Sequence, residues 1–164
     1  MAFLDDVRAE RRKKLNLLRE QGMDSYPAES NRTHTNAEFL SLFDSFVSSN
    51  ERVALVGRIM ALRNQGGIIF LDIFDGKARV QILLKRDTLG DRSTDLFMNA
   101  VDIGDFIEIT GNAITTKRGM NSLAASSWRM LAKSLRPMPD EWFGLKDEDE
   151  RYRKRYIDIL LNTE

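Results

Sequence analysis

Three residues in the middle of the chain have side chains suited to holding an unpaired base: Arg63, Phe70 and Gln81. An aromatic ring offers a face on which a base can stack, at about 1–3 kcal/mol per base. A glutamine amide both donates and accepts hydrogen bonds, so it can pair with a base edge, and a guanidinium can bind a phosphate or a second base edge. The set therefore predicts recognition of a single nucleic-acid strand, provided that the fold brings the three side chains together.

The stretch 53–84, which contains all three residues, has the pattern of a three-stranded β-meander. Two segments alternate apolar with small or polar residues, and the segment between them is rich in β-branched and aromatic residues. Short Gly-containing turns of the hairpin type separate them. The expected strands are 53–63, 68–73 and 78–84, and the expected turns are Asn64-Gln65-Gly66-Gly67 and Asp75-Gly76-Lys77.

The second of these strands decides whether Phe70 can meet a ligand. A phenylalanine between Ile69 and Leu71 is more often a core residue than a surface residue. The period-two alternation, however, groups Ile69, Leu71 and Ile73 on one face and leaves Phe70 with Asp72 on the other. Because a face that carries a charge is a poor core, the sequence leaves the buried and the exposed placement of Phe70 about equally supported.

The rest of the chain completes a recognisable order of elements. A helix is expected at 91–101, a strand at 104–116, a tight turn at 117–120 and a last strand at 121–132, with 84–90 as a connector. Three strands, a helix and two strands is the order of the five-stranded OB-fold barrel, which binds single strands across its second and third strands. The predicted fold class is an all-β core with flanking helices, in which an N-terminal helix precedes the barrel.

The N-terminal helix, expected over 2–21 and ended by Gly22, has two faces of interest. Its apolar stripe is interrupted by Arg11, so we expect partial packing. Beside that stripe runs a basic ridge that is either a solvated helix face or a surface for phosphates. The stripe consists of Leu4, Val7, Leu15 and Leu18, and the ridge of Arg8, Arg12 and Arg19.

The other flanking segments are expected to support the barrel. An irregular linker over 24–35 leads to a short helix over 36–46 that Asn36 would cap and that would plug the open end of the barrel. A final helix is expected over 145–162. Their apolar sides are Phe39, Leu42, Phe43 and Phe46 in the first helix, and Tyr152, Tyr156 and Ile159 in the second. The predicted domains are 1–50, a helical extension; 51–135, the barrel; and 136–164, a linker with the first helix beyond it.

Composition excludes several classes of protein. The formal net charge is zero, although segments 8–19 and 58–86 each hold six Lys or Arg residues, so a basic face on a neutral chain is expected. Cysteine is absent, and no apolar run approaches the length of a membrane span or of a signal peptide. His34 stands alone and no catalytic motif is present, so we expect no metal, no cofactor and no catalysis on this chain, and a cytoplasmic location.

The run VGRIMALRNQGGIIFLDIFDGKARVQ resembles the anticodon-binding OB domain of class IIb aminoacyl-tRNA synthetases, the lysyl, aspartyl and asparaginyl enzymes. In that pattern an Arg ends the first strand, a Phe follows after seven residues and a Gln after eleven more, as do Arg63, Phe70 and Gln81. The flanks RRKKLNLLREQGMDSYP and KSLRPMPDEWFGLKDEDERYRKRYIDILLN are similar to the lysyl-tRNA synthetase family. The resemblance covers about residues 8–162.

This resemblance implies a tRNA partner and a role for each residue. Phe70 would stack on the central uridine of the lysine anticodon, Gln81 would read an edge of that base, and Arg63 would contact bases or backbone nearby. The lysine, ATP and Mg²⁺ sites of the family, which ligate lysine to tRNA, belong to a catalytic domain whose motifs are not in this sequence. The family is homodimeric, and the sequence leaves the state of this chain open.

One turn departs from the family pattern. The family reads T-K-T-G-E between its fourth and fifth strands, whereas this chain reads Thr116-Lys117-Arg118-Gly119-Met120. The family's Glu helps to contact the first anticodon base, and a thioether cannot accept the same hydrogen bonds. Two other kinds of function stay open at this point: a free-standing OB module for single strands, and a dimerisation domain whose barrel face meets protein.

Overall fold

The computed structural model describes residues 2–138 and 148–161. Within these ranges the five strands follow one another in the expected order, and they are accompanied by seven helices, which is more than the sequence predicted. The strands are β1 Arg52–Gln65, β2 Ile68–Phe74, β3 Arg79–Lys85, β4 Phe106–Thr115 and β5 Asn121–Ala132. The helices are α1 Ala2–Glu20, α2 Asn36–Ser41, α3 Phe43–Ser49, α4 Arg86–Leu89, α5 Asp91–Ala100, α6 Glu148–Arg153 and α7 Arg155–Leu161.

The five strands close into a barrel in the order β1-β2-β3-β5-β4, with β4 returning to β1. All neighbours are antiparallel except β3 and β5, which run parallel. This closure confirms the predicted OB-fold. The β1–β2 hairpin turns on Gly66 and Gly67, whose φ angles of 56° and 91° lie in the left-handed region that glycine adopts without steric cost. Gly111 is required for a steric reason instead, because a Cβ at this position would lie 2.0 Å from the carbonyl oxygen of Ala124.

The barrel interior is filled by alternate residues of each strand. In β2 the core residues are Ile69, Leu71 and Ile73, which are at most 2% exposed. Phe97 of α5 packs edge to face on Trp128 of β5, with ring centroids 4.9 Å apart. Helix α5 therefore packs on the barrel, and it lies between the third and fourth strands in the chain, as the sequence predicted.

Helix α1 is fastened to the barrel by the residue that interrupts its apolar stripe. The Arg11 guanidinium donates hydrogen bonds to the carbonyls of Ile103, Ser134 and Arg136, at 3.0–3.1 Å. Leu18 is fully buried, whereas Leu4 is 40% exposed. Packing is thus partial, as expected, but Arg11 contributes to it, because a guanidinium has enough donors to satisfy several carbonyls at once.

A buried charge cluster lies beside this contact. The ammonium of Lys133 is 0% exposed and lies 2.6 Å from an Asp102 oxygen and 2.7 Å from an Asp105 oxygen. Burial raises the pKa of Asp105 above its usual range, despite the nearby lysine. Burial acts in the same direction on Asp102, but hydrogen bonds from Lys133 and Lys14 outweigh it and lower the pKa of that carboxyl. The cluster joins the 102–105 turn, the end of β5 and α1.

Two details of the helix after the linker were predicted wrongly. The N-cap is Thr35, not Asn36: Thr35 and Glu38 form a reciprocal capping box. Asn36 is the first helical residue, and its buried side-chain amide donates to the Ala78 carbonyl at 3.0 Å. The helix also breaks into α2 and α3 at Leu42, which is consequently 48% exposed instead of packed in the core.

The three phenylalanines of this segment are buried as expected. Phe39, Phe43 and Phe46 join the same hydrophobic cluster as the barrel interior. The two rings of Phe39 and Phe46 are nearly parallel, with centroids 5.9 Å apart. The apolar side of α2 and α3 therefore extends the barrel core at one end, which is the plug that the sequence predicted.

Two other segments differ from expectation. The connector after β3 contains a one-turn helix, α4, whose Arg86 guanidinium bonds to Asp91 and Asp95 of α5. The C-terminal helix is interrupted at Lys154, between α6 and α7. Its predicted beginning at 145–147 and its last residue, 162, lie outside the described residues. The predicted apolar side of this segment is solvent-facing, since Tyr152, Tyr156 and Ile159 are 62–70% exposed.

In the described ranges, no helix combines the length and the apolar composition that crossing a membrane requires.

Candidate nucleic-acid interface

The outer face of β2 carries the residue on which the functional prediction depends most. Phe70 and Asp72 are half-buried and lie between the core residues of the same strand. The alternation of β2 thus turns the Phe70 ring away from the barrel interior. Of the two placements that the sequence left open, the structure shows the outer one.

Strand register brings the other predicted residues to the same place. Arg63 of β1 is the direct cross-strand partner of Phe70. Gln81 of β3 is the direct partner of Asp72, which lies two residues from Phe70 on the same face. Neighbouring strands are about 4.8 Å apart, so these four side chains share one surface. We call Arg63, Phe70, Asp72 and Gln81 the outer-face patch.

Two polar contacts organise the outer-face patch. A guanidinium nitrogen of Arg63 lies 3.6 Å from a carboxylate oxygen of Asp72. The hydroxyl of Ser122, at the start of β5, donates to the side-chain oxygen of Gln81 at 2.9 Å. The sequence analysis placed Asp72 on this face but gave it no role, and it missed Ser122. The available signal for Ser122 was its position at the start of the fifth OB strand, and only the parallel β3–β5 register converts that position into contact with Gln81.

The turn between β4 and β5 borders the outer-face patch through Ser122. The backbone N–H of Thr116 donates to the Met120 carbonyl at 2.9 Å, and Gly119 has a φ of 81°. Met120 is 53% exposed, and its carbonyl oxygen is 3.3 Å from the Ser122 hydroxyl. The position where the family pattern has a carboxylate therefore presents a thioether to solvent, close to Gln81.

The basic ridge of α1 is a separate surface. Arg8, Arg12 and Arg19 lie on one side of the helix, and the last two are exposed. Among the described residues, the ion pair that Arg8 forms is a long one with Asp5, at 4.0 Å. Helix α1 packs on α5 and on the segments that Arg11 binds, and within the described ranges no hydrogen bond or ion pair connects the ridge with the outer-face patch. The structure thus brings Arg63, Phe70 and Gln81 together and leaves the ridge apart from them.

The lone histidine of the chain, His34, lies against an aromatic ring. His34 packs edge to face on Phe46, with centroids 4.9 Å apart. Among residues 2–138 and 148–161, no cluster of His, Asp and Glu side chains could hold a metal ion.

Comparison with known proteins places the barrel in one family. The tRNA anticodon family, described as an OB-fold nucleic acid binding domain, matches residues 53–136. A lysine–tRNA ligase of Bacillus cytotoxicus is 40% identical over 166 residues, which cover 98% of this chain and 33% of the ligase. The lysine–tRNA ligase of Rhizobium etli is 42% identical, with 99% of this chain and 33% of the ligase covered.

A relative with a different name also matches. The lysylphosphatidylglycerol biosynthesis bifunctional protein LysX of Mycolicibacterium vanbaalenii is 39% identical over 151 residues, which cover 92% of this chain and 13% of that protein. The chain spans about a third of the length of the ligases that it matches, and less of this relative.

Proposed function

The chain belongs to the tRNA anticodon family of OB-fold nucleic acid binding domains, and from that premise we propose that it binds the anticodon loop of a lysine tRNA. The observation that carries the proposal is the outer-face patch. Phe70 offers a stacking surface, with a cation on one neighbouring strand and an amide on the other. This is the arrangement by which single-stranded RNA is usually recognised, with stacking for affinity and edge contacts for sequence.

Each residue has a distinct role in this proposal. The central uridine of the anticodon stacks on Phe70, and Gln81 donates a hydrogen bond to its edge. Arg63 is 57% exposed at the side chain, so it can reach a base edge or a phosphate without losing its contact with Asp72. Met120 offers no carboxylate to the first anticodon base, and so that position is read with less discrimination than the family pattern implies.

The activity of a longer protein lies outside this chain. In a protein of the ligases' length, we propose that this domain holds the anticodon in the cytoplasm while other residues bind lysine, ATP and Mg²⁺ and join lysine to the tRNA. The name of LysX favours a second kind of longer protein, one with a lysylated lipid product.

The proposal is tested by binding the chain to three RNA hairpins that share a stem and differ in the loop. One loop carries the lysine anticodon, one the aspartate anticodon, and one a scrambled sequence. Fluorescence anisotropy should show the lysine hairpin bound about tenfold more tightly than the scrambled one, a difference of ~1.4 kcal/mol.

Equal affinities for the three hairpins would contradict the proposal and favour a general single-strand module. Preference for the aspartate loop would favour the aspartyl or asparaginyl assignment. Self-association without RNA binding would favour a dimerisation domain.

The ridge of α1 makes a separate prediction. If Arg8 contacts a phosphate, Arg8→Ala should weaken binding to all three hairpins alike and reduce the slope of log Kd against log salt by about one unit or less. Arg52→Ala, which removes the same charge at the opposite end of β1 from Arg63, is the control and should leave the slope unchanged. An unchanged slope for Arg8→Ala would identify the ridge as a solvated helix face.

A further inference from the structure

Asp72 is an unexpected member of a surface that meets RNA. A carboxylate repels phosphates, so its presence at the centre of the outer-face patch needs a physical reason. Its side chain is 31% exposed, so it is accessible to a ligand, and its nearest cation is Arg63 at 3.6 Å. That distance is too long for a tight hydrogen-bonded pair and leaves lone pairs of the carboxylate available.

Ser122 orients the amide of Gln81 through one hydrogen bond. The Ser122 hydroxyl is 2.9 Å from the Gln81 side-chain oxygen and 3.3 Å from the Met120 carbonyl, so its proton is assigned to the shorter contact. With its oxygen occupied, Gln81 presents its NH₂ group to a ligand. Among the described residues, no side chain or carbonyl accepts from that NH₂ group.

The three polar groups form a row across neighbouring strands. Arg63 lies on β1, Asp72 on β2 and Gln81 on β3, and the middle residue is in register with Gln81 and diagonal to Arg63. In the order β1, β2, β3, the row presents a donor from Arg63, an acceptor from Asp72 and a donor from Gln81. The Watson–Crick edge of uracil is acceptor, donor, acceptor, from O2, N3–H and O4.

We propose that Asp72 is a specificity-determining residue: it accepts from N3–H of a base stacked on Phe70, and Arg63 and Gln81 donate to the two flanking carbonyls. The inference rests on the proposed function, since it names how the central uridine is chosen. The row has the same pattern in both directions, so it fits uracil whichever way the base lies. Cytosine has an acceptor at N3 and an amino group in place of O4, so it mismatches Asp72 and one flanking donor.

The mismatch between Asp72 and N3 of cytosine determines how strongly uracil is preferred over cytosine. Two acceptors that face each other leave both without a partner, and hydrogen bonds to charged groups are the stronger class. Asp72→Asn keeps the shape and adds an NH₂ donor that can pair with N3 of cytosine. We therefore expect this change to reduce the preference for uracil over cytosine about tenfold or more.

The test measures Kd for two hairpins that carry uracil or cytosine at the central anticodon position. Wild type should prefer uracil, and Asp72→Asn should lose most of this preference. Ser122→Ala frees the Gln81 amide to rotate, so it should lose part of it, about threefold. Asp44→Asn, a change of an exposed acid on α3, is the control for charge and should keep the wild-type ratio.

Two results separate this inference from the proposed function. If wild type binds neither hairpin, the proposed function fails, and the inference fails with it. If wild type prefers uracil and Asp72→Asn weakens both hairpins equally, Asp72 only holds Arg63 in place, and the inference alone is overturned. Should Asp72→Asn fail to fold, an unchanged base ratio in Ser122→Ala overturns the donor–acceptor–donor row by itself.

Discussion

Lys133→Met should lower the free energy of unfolding by about 3–5 kcal/mol, the largest effect that we expect from a single substitution in this chain. The lysine ammonium and the Asp105 carboxylate are both 0% exposed. Methionine fills a similar volume but leaves Asp105 as a buried charge without its cation, and Asp102 with Lys14 alone. Urea unfolding at neutral pH, followed by circular dichroism, measures the loss.

The loss should depend on pH in a defined direction. Since burial raises the pKa of Asp105, the folded state favours the protonated carboxyl, and this contribution to stability is lost as pH rises through the folded-state pKa. Removing Lys133 raises that pKa further. The lowered pKa of Asp102 stabilises wild type above its unfolded-state pKa, and the substitution removes part of that stabilisation. Both effects make the difference from wild type largest near neutral pH and smaller in acid.

Lys14→Met is the matched control for this experiment. Lys14 also binds Asp102, but its side chain is 30% exposed. A partly solvated pair contributes less, so we expect a loss of about 1 kcal/mol or less. Equal losses for the two lysines would show that the burial of Lys133 has no special energetic weight.

Phe70→Ala should weaken binding of the lysine-anticodon hairpin by about 1–3 kcal/mol, the range measured for loss of one base–aromatic stack. Phe70 lies on the outer face of β2, while the inner face holds the core. Its removal should therefore affect affinity more than folding. Fluorescence anisotropy gives the affinity, and thermal unfolding followed by circular dichroism gives the stability of the same samples.

The chain provides a matched control for Phe70. Phe74 is on the same face of the same strand, four residues further along, and the Arg79 guanidinium lies over its ring, 5.8 Å from the ring centroid. Phe74→Ala should cost similar stability but less affinity, and Phe70→Tyr should bind as wild type does, because it keeps the ring. If Phe70→Ala binds the hairpin as tightly as wild type, stacking on this residue is wrong.

Local sequence patterns were sufficient to predict the barrel. Glycine-containing turns and period-two alternation located all five strands to within two residues at each end. The same alternation put Phe70 opposite Ile69 and Leu71, which is where the structure has it. These features depend only on neighbours in the chain, and for that reason one sequence is enough to find them.

Features that depend on distant parts of the chain could not be predicted. Arg11 looked like a flaw in an apolar stripe because its carbonyl acceptors are 92 to 125 residues away. Ser122 orients Gln81 only through the parallel β3–β5 register. Leu42 was predicted to lie in the core because one continuous helix would place it on the same side as Phe39 and Phe46. The chain instead breaks at Leu42 between α2 and α3, so the spacing of a continuous helix does not apply there.

The triple hydrogen bond of Arg11 has a mechanical consequence. The Arg11 side chain of α1 donates hydrogen bonds to the carbonyls of Ser134 and Arg136, which lie on the segment that follows β5. Arg11 therefore connects the helix before the barrel with the segment after it, in addition to the Lys14–Asp102 ion pair that also holds α1. A displacement of α1 relative to the segment after β5 would break the two hydrogen bonds to Ser134 and Arg136, so the positions of the two ends of the domain depend on each other.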